Sequence, residues 1–167
     1  MDPSTTPDQN TRPKPSKPII PIMVPVDHYY LFLAEQLRDP CLVHLCNEAQ
    51  AANRATAIFT RSITETRRIS RLLDATNIGA IPIHCDLSPS ERAASLDKLY
   101  RKECHVIVMT DVAAGFGPGP FPEVQVDRVI NYSLTWKMNP QVYGQRTRNV
   151  GHAGTGHSGQ VITLVTP

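Results

Sequence analysis

The residues best suited to chemistry follow a short apolar run, 106–109, where the chain turns abruptly polar at Thr110 and Asp111. A bounded run of β-branched apolar residues is typical of a strand buried on both faces of a sheet. A hydroxyl and a carboxylate at the carboxyl end of such a strand lie where α/β sheets bind their ligands. The small residues that follow, Ala113 to Gly115, would let backbone approach a ligand closely. An ordinary loop with a capping threonine or aspartate explains the same pattern, so both interpretations stay open here.

No other set of reactive side chains stands out in the sequence. The histidines show no spacing typical of metal ligands, and no serine–histidine–aspartate or cysteine–histidine arrangement is apparent. The glycine-rich stretch 151–159 lacks the strand–loop–helix context of a phosphate site and is interpreted as a turn. We therefore expect no metal site and no self-sufficient nucleotide site.

Strands and helices that could position Thr110 and Asp111 alternate along most of the chain. Serine caps at Ser62 and Ser88 are each followed three residues later by a glutamate, which predicts helix starts and, at Ser62, a capping box. Alternation of this kind indicates an α/β fold with a parallel β-sheet flanked by helices on both faces. We predict strands at 28–33, 55–60, 80–84, 105–110, 128–134 and 160–166, and helices at 36–50, 62–75, from 88 past 99, and 139–148.

The first 26 residues differ in composition from the rest. Prolines recur every few residues, and proline removes backbone donors, so neither a helix nor a central strand is expected there. We predict a disordered proline-rich arm over 1–26 and one folded domain over 27–167, since 167 residues suit one domain with a core.

Charge and cysteine content narrow the class of protein. The net charge of +2 creates no bulk basic field, although arginines cluster locally, as at Arg67, Arg68 and Arg71. The four cysteines have no metal-ligand spacing and are interpreted as reduced thiols of an intracellular protein. No run is apolar and long enough to span a bilayer, so no membrane association is expected.

Six segments, taken in order, resemble the second RecA-like domain of DEAD-box ATP-dependent RNA helicases. The resemblance covers about 27–167, and 29–48 followed by 56–61 is most similar to the nucleolar helicases of pre-ribosomal RNA processing. It implies a single RecA-like, P-loop-NTPase-like domain and a nuclear or nucleolar location. The segments are IFTRSITETRRISRLL, AIPIHCDLSPSERAASLDKL, VIVMTDVAA, VINYSL, QRTRNVGHAG and ITLVTP.

The resemblance also implies that ATP and Mg²⁺ are bound only between two RecA-like domains. The phosphate loop G-x-x-x-x-G-K-[ST] and the Asp-Glu-Ala-Asp motif belong to the first domain, and neither occurs in these 167 residues. The expected partners are therefore RNA, bound weakly through its backbone, and a first RecA-like domain or another protein. No cofactor is expected for this chain on its own.

The residues implied in RNA binding lie at three strand ends. Cys85 replaces a family glycine whose backbone the RNA would approach, so its side chain could crowd that contact. Arginine and hydroxyl groups are suited to phosphate oxygens. Matching the family motifs gives Thr60, Arg61, Asp86, Arg92, Thr110 and Asp111 as the RNA-binding candidates.

The motifs implied in ATP binding depart from the family pattern. After Ala114 the family's arginine and ribose-binding aspartate are missing. In the last motif Gln145 replaces the histidine, Arg146 matches the first arginine and is the candidate for a γ-phosphate contact, and Asn149 replaces the arginine finger. Loss of such a finger costs about 10³ to 10⁵ in rate, or roughly 4–7 kcal/mol of barrier.

Three hypotheses follow from these matches and departures. The chain is a helicase-derived domain that binds RNA weakly and does not hydrolyse ATP alone, or a subunit that works only beside a first-domain partner from another chain. Alternatively, it is a non-catalytic RecA-like scaffold or degenerate helicase fragment that acts through protein contacts. Salt-sensitive RNA affinity separates the first two hypotheses from the third.

Overall fold

A computed structural model describes residues 25–114, 124–134, 140–148, 150 and 158–167. Most of the predicted proline-rich arm, the loop after Ala114, and Asn149 with most of the glycine-rich stretch lie outside the described residues. The predicted boundary between arm and domain stays a prediction.

The described part of the chain contains a parallel sheet of six strands. Its spatial order is β1-β6-β5-β2-β4-β3, and every neighbouring pair is parallel. β2 and β4 are buried at every position, as expected for apolar strands at the centre of a parallel sheet. The strands are β1 (Val26–Phe32), β2 (Thr56–Thr60), β3 (Ala80–Ile83), β4 (Val106–Thr110), β5 (Arg128–Asn131) and β6 (Gly159–Val165).

Helices cover both faces of this sheet. Leu42 of α1 and Ile69 of α2 pack into one apolar core, whereas Leu96 of α3 packs into a second core with Tyr143 of α4 against it. The predicted fold class, an α/β parallel sheet with helices on both faces, is confirmed. The helices are α1 (Arg38–Ala51), α2 (Ile63–Ala75), α3 (Pro89–Tyr100) and α4 (Pro140–Thr147), and a 3-10 turn (Glu35–Leu37) precedes α1.

The strand order places the polar strand ends at a switch point of the sheet. From β2 the chain moves outward to β3, returns to β4, and then crosses to β5 on the other side of β2. Crevices at such a reversal, outside the carboxyl ends of the strands, are where open α/β sheets bind ligands. Thr60 and Thr110 are paired in register as the last residues of β2 and β4, so both lie at this edge.

Both predicted serine caps are confirmed, but the capping box predicted at Ser62 is wrong, and a complete box forms at Ser88 instead. At α3, Glu91 N–H donates to Ser88 Oγ at 3.3 Å and Ser88 N–H donates to Glu91 Oε2 at 2.8 Å, which completes a capping box. At α2, Ser62 Oγ accepts from Glu65 N–H at 3.2 Å, but the Glu65 carboxylate accepts from Arg61 N–H at 2.9 Å instead. The glutamate therefore holds the residue before the cap, because Arg61 still needs a backbone partner where β2 ends.

Strand β5 is shorter than the predicted 128–134. After Asn131 the amides of Tyr132 and Ser133 both donate to the Phe59 carbonyl, at 3.1 and 3.2 Å, so the regular ladder stops. This turn directs Tyr132 and Ser133 toward helices α1 and α2, where they make contacts described below.

Candidate functional site

The centre of the carboxyl edge is a buried arginine, Arg146, held by Asp111. Arg146 Nε donates to Asp111 Oδ1 at 2.6 Å and Nη2 donates to Oδ2 at 2.9 Å, which is a bidentate ion pair. Nη1 donates to Asn131 Oδ1 at 2.9 Å and to the Ser133 carbonyl at 3.3 Å. The guanidinium also lies 4.8 Å from the centre of the Phe59 ring. Helix α4 is thereby fixed to the ends of β2, β4 and β5.

Arg146 and Asp111 were predicted to contact ATP and RNA, respectively. The Arg146 side chain is fully buried, and four of its N–H groups donate to the partners just described. Both Asp111 oxygens accept from Arg146, and about a fifth of the Asp111 side chain (21%) is exposed. Each residue therefore has its partner inside the domain. Gln145, the other predicted ATP contact, lies partly buried beside Arg146 on α4.

The hydroxyls of Thr60 and Thr110, at the carboxyl edge, form hydrogen bonds within the domain. Thr60 is fully buried, and its Oγ1 lies 2.6 Å from Thr66 Oγ1 and donates to the Met109 carbonyl at 3.2 Å. Thr110 Oγ1 accepts from Ala113 N–H at 3.4 Å, so it caps the turn after β4. Their contact with RNA stays a prediction.

Arg61 has the most exposed side chain of the predicted RNA-binding residues. About two thirds of its side chain (68%) is exposed, and its Nε lies 3.7 Å from Glu65 Oε1. The Glu65 carboxylate is largely buried, and its Oε2 accepts from the Arg61 N–H and from the Ser133 hydroxyl at 2.8 Å. Glu65 thus fixes the Arg61 backbone while the guanidinium stays in solvent.

The loop between β3 and α3 carries Asp86 and Arg92. Asp86 is exposed, and its Oδ2 accepts from Arg67 Nη2 at 3.1 Å. Arg92 is partly buried and donates through Nη2 to the Leu87 carbonyl at 3.0 Å, across its own loop. Cys85 is also exposed, so its side chain faces solvent at the position where the family glycine was expected to meet RNA. This loop and Arg61 lie on the same carboxyl edge, because β2, β3 and β4 are parallel neighbours.

A second polar cluster, around Tyr132, was missed by the sequence prediction. The Tyr132 hydroxyl donates to Asp39 Oδ1 at 2.6 Å and accepts from Arg68 Nη2 at 2.7 Å, while Arg68 also donates to both Asp39 oxygens. The Arg38 guanidinium stacks 4.2 Å from the ring centre and donates to the Tyr132 carbonyl. The only sequence signal was the polar pair Tyr132-Ser133 directly after an apolar strand.

Burial and hydrogen bonding shift the ionisation of this cluster. Burial, followed by the hydrogen bond to Asp39, raises the pKa of Tyr132 to about 12. The hydrogen bond from Arg68 lowers the pKa of the Asp39 carboxyl below its ordinary value, and the same bond raises the pKa of Arg68. The cluster therefore holds a neutral tyrosine against a charged carboxylate–guanidinium pair at neutral pH.

Two kinds of feature are absent from the part of the chain that the structure describes: a group of metal-ligating side chains and a membrane-spanning helix. There, no group of three or more histidine, cysteine, aspartate or glutamate side chains is arranged to hold a metal ion. None of the described helices is long and apolar enough to cross a membrane.

Comparison with known proteins identifies the domain. Residues 38–154 match the family model described as the helicase conserved C-terminal domain. The chain is 40% identical over 137 residues to the ATP-dependent rRNA helicase rrp-3 of Neurospora crassa, a match covering 82% of this chain and 25% of that protein. It is 39% identical over 137 residues to the ATP-dependent rRNA helicase rrp3 of Aspergillus fumigatus, a match that covers 82% of this chain and 27% of that protein. The chain thus spans about a quarter of the length of these curated relatives.

Solved structures show the same fold. The DEAD-box protein SrmB of E. coli, crystallised with regulator of ribonuclease activity A, superposes with a TM-score of 0.68 at 22% identity over 85% of this chain and 78% of that one. The C-terminal domain of the DEAD-box protein Dbp5 superposes with a TM-score of 0.70 at 20% identity. The match covers 86% of this chain and 78% of that one. The fold, the family match and the curated relatives agree with the resemblance found in the sequence. This chain belongs to the helicase conserved C-terminal domain family and has the RecA-like fold of DEAD-box C-terminal domains.

Proposed function

We propose that this chain acts as the second RecA-like half of a DEAD-box RNA helicase, holding RNA by its backbone at the carboxyl edge of the sheet. The observation that carries the proposal is the exposed Arg61 side chain on the same carboxyl edge as the exposed β3–α3 loop, in a domain of this family. Arginines presented in this way bind phosphate oxygens without reading sequence.

The predicted RNA residues would then have different tasks. Arg61 and Arg92 supply cationic donors, and Thr110 lies at the edge with little of its side chain exposed. Thr60 and Asp111 stabilise the fold and do not meet phosphates, because their side chains bond within the domain. Asp86 is an anion, so its role is to position Arg67 rather than to meet a phosphate.

The ATP role is proposed to depend on a first RecA-like domain. In the arrangement described here Arg146 does not fit a γ-phosphate contact, because Asp111, Asn131 and Ser133 engage its guanidinium inside the domain. The arginine finger is replaced by Asn149 in the sequence. We therefore propose that the chain alone neither hydrolyses ATP nor unwinds RNA, and that ATP and Mg²⁺ enter only when a first domain is paired with it.

The names of the curated relatives suggest the biological setting. These relatives are ATP-dependent rRNA helicases. We extend that name to this chain as a proposed role in pre-ribosomal RNA processing, with the nucleolus as the proposed location.

The test is fluorescence anisotropy of a labelled single-stranded RNA titrated with the full chain between about 50 and about 200 mM salt. We expect weak binding that falls with salt and is reduced in Arg61→Ala. The matched control is Arg101→Ala, which removes an exposed arginine paired with Asp97 at the far end of α3. A folded chain that binds no RNA, or loses affinity equally in both variants, would instead favour a scaffold that acts through protein contacts.

The ATP part is tested separately, by phosphate release with RNA present. The chain alone should give no turnover above the blank. Hydrolysis by the chain alone would overturn the proposed dependence on a first domain, whatever the RNA result.

A further inference from the structure

The outward face of α2 carries a row of arginines that are not among the predicted RNA-binding residues. Arg67, Arg68 and Arg71 are all exposed, and Arg67 and Arg71 are one turn apart on the same side of the helix. Four residues of α-helix rise about 6 Å, a step similar to that between neighbouring phosphates of an extended single strand. The row begins at Arg67, in the second turn of α2, and this helix starts two residues after Arg61.

The three arginines differ in how many hydrogen bonds and ion pairs they make within the domain. Arg68 is bound to Asp39 and Tyr132, so its donors serve the cluster at the end of β5. Arg67 makes one ion pair, to Asp86 at 3.1 Å, and both side chains are about half exposed. Arg71 is exposed and forms no hydrogen bond or ion pair with the residues that the structure describes. Arg67 and Arg71 therefore retain donors for a ligand.

The Arg67–Asp86 pair connects this row to the candidate RNA edge. Asp86 lies in the β3–α3 loop, and Arg67 lies in the second turn of α2, so the pair joins the sheet edge to the helix face. We propose that an RNA strand crossing the edge at Arg61 continues over α2, where Arg67 and Arg71 bind its next phosphates. This inference rests on the proposed function and extends its RNA path beyond the residues matched to family motifs.

An acidic peptide is the competing occupant of a cationic helix face. Peptide interfaces depend on apolar or aromatic anchors seated on the surface. Among the described residues, the exposed large hydrophobic side chains all lie outside α2: Tyr29, Tyr30, Phe32, Leu37, Tyr100, Val112 and Leu134. A surface with regularly spaced arginines and no exposed large apolar side chain is better suited to a phosphate backbone than to a peptide.

The decisive experiment compares RNAs of two lengths. A strand of about 5 nucleotides covers the edge alone, and one of about 12 nucleotides also reaches the helix. The logarithm of the affinity for a single strand falls linearly with the logarithm of the salt concentration. Each phosphate contact that is removed makes this slope shallower by about 0.7. The double variant Arg67→Ala/Arg71→Ala should therefore lower the slope by about 1.4 on the longer RNA, and Arg71→Ala alone should leave the affinity for the short RNA unchanged. Between about 50 and about 200 mM salt, wild type should lose about 7-fold more affinity than the double variant.

Further variants separate the possible outcomes. Arg71→Ala alone should give half the slope change, about 0.7, without exposing Asp86 to the RNA. If Arg61→Ala weakens both RNAs while the α2 variants behave like Arg101→Ala, the extension is wrong and the proposed function stands. If no RNA binds to the folded chain, both fail. Displacement of the longer RNA from wild type, but not from the double variant, by an equal concentration of oligoglutamate would overturn RNA as the preferred occupant.

Discussion

Arg146 and Asp111 form a bidentate ion pair inside the domain, with N–O distances of 2.6 and 2.9 Å. Arg146 comes from α4 and Asp111 directly follows β4, so the pair joins two segments far apart in the sequence. Removing one partner of a buried pair leaves the other charge desolvated and uncompensated. The pair is therefore expected to matter for folding before it matters for any ligand.

Asp111→Ala should lower the free energy of unfolding by about 3–5 kcal/mol, because Arg146 would stay buried without its carboxylate. Denaturant unfolding measures this directly. The control is Asp97→Ala, which breaks the exposed pair with Arg101 and should cost at most about 1 kcal/mol. Equal costs for the two variants would show that the buried pair has no special weight.

Thr60→Val should destabilise the domain without a specific effect on RNA. The substitution keeps the shape but deletes a buried hydroxyl. Thr66 Oγ1 and the Met109 carbonyl each lose one hydrogen bond, at a cost of about 1–3 kcal/mol, although Thr66 still donates to the Ser62 carbonyl. Thr64→Val, the same change on the exposed face of α2, should be close to neutral. Unfolding curves and RNA titrations of both variants are the measurements. Loss of RNA affinity in folded Thr60→Val would restore the direct contact predicted from sequence.

Cys85 should be the first cysteine to react with a thiol reagent. It is exposed, whereas Cys46 and Cys104 are buried and burial raises the pKa of both thiols, that of Cys46 to about 12. A thiol with a raised pKa contains less of the reactive thiolate. Mass spectrometry after timed alkylation identifies the order of modification, with Cys85→Ser as the control.

Alkylated Cys85 also tests the RNA edge. A bulky adduct in the β3–α3 loop should weaken RNA binding if that loop faces the strand, and Cys85→Gly should bind at least as well as wild type. Unchanged affinity after complete modification would place the RNA path elsewhere.

The Tyr132 hydroxyl should ionise only at high pH, and its ionisation should lower the free energy of unfolding. Its folded pKa is raised to about 12, above the ordinary value of about 10. The unfolded chain therefore loses this proton first, so stability is unaffected below about pH 10 and falls as pH rises toward about 12. Ultraviolet titration of tyrosinate is the measurement.

The Tyr132 assignment needs a partner variant, since Tyr143 also has its pKa raised to about 12, mainly by burial. Tyr132→Phe and Tyr143→Phe should each remove one late-titrating tyrosine, and the double variant should remove both. A late phase unchanged in Tyr132→Phe would contradict the buried hydrogen-bonded state.

The sequence by itself determined the class of fold and the order of its elements. Apolar runs such as 106–109, the serine cap and glutamate at Ser88 and Glu91, and alternating strands and helices are local signals, and local physics suffices to interpret them. The motif matches likewise identified the family and placed Thr110, Arg61 and Asp86 at strand ends. These features depend on neighbours a few residues away.

Only the tertiary structure decided what the polar side chains at those ends do. The sequence resemblance predicted a phosphate contact for Arg146. The fold places Arg146 against Asp111, 35 residues away in the sequence, and over the Phe59 ring. Tyr132 gains Asp39 and Arg68 as partners because α1 and α2 pack into one core with the end of β5, where the chain turns. A polar group's partners depend on which distant segments converge on it, and burial then makes pairing obligatory. Neither condition can be read from residue spacing along the chain.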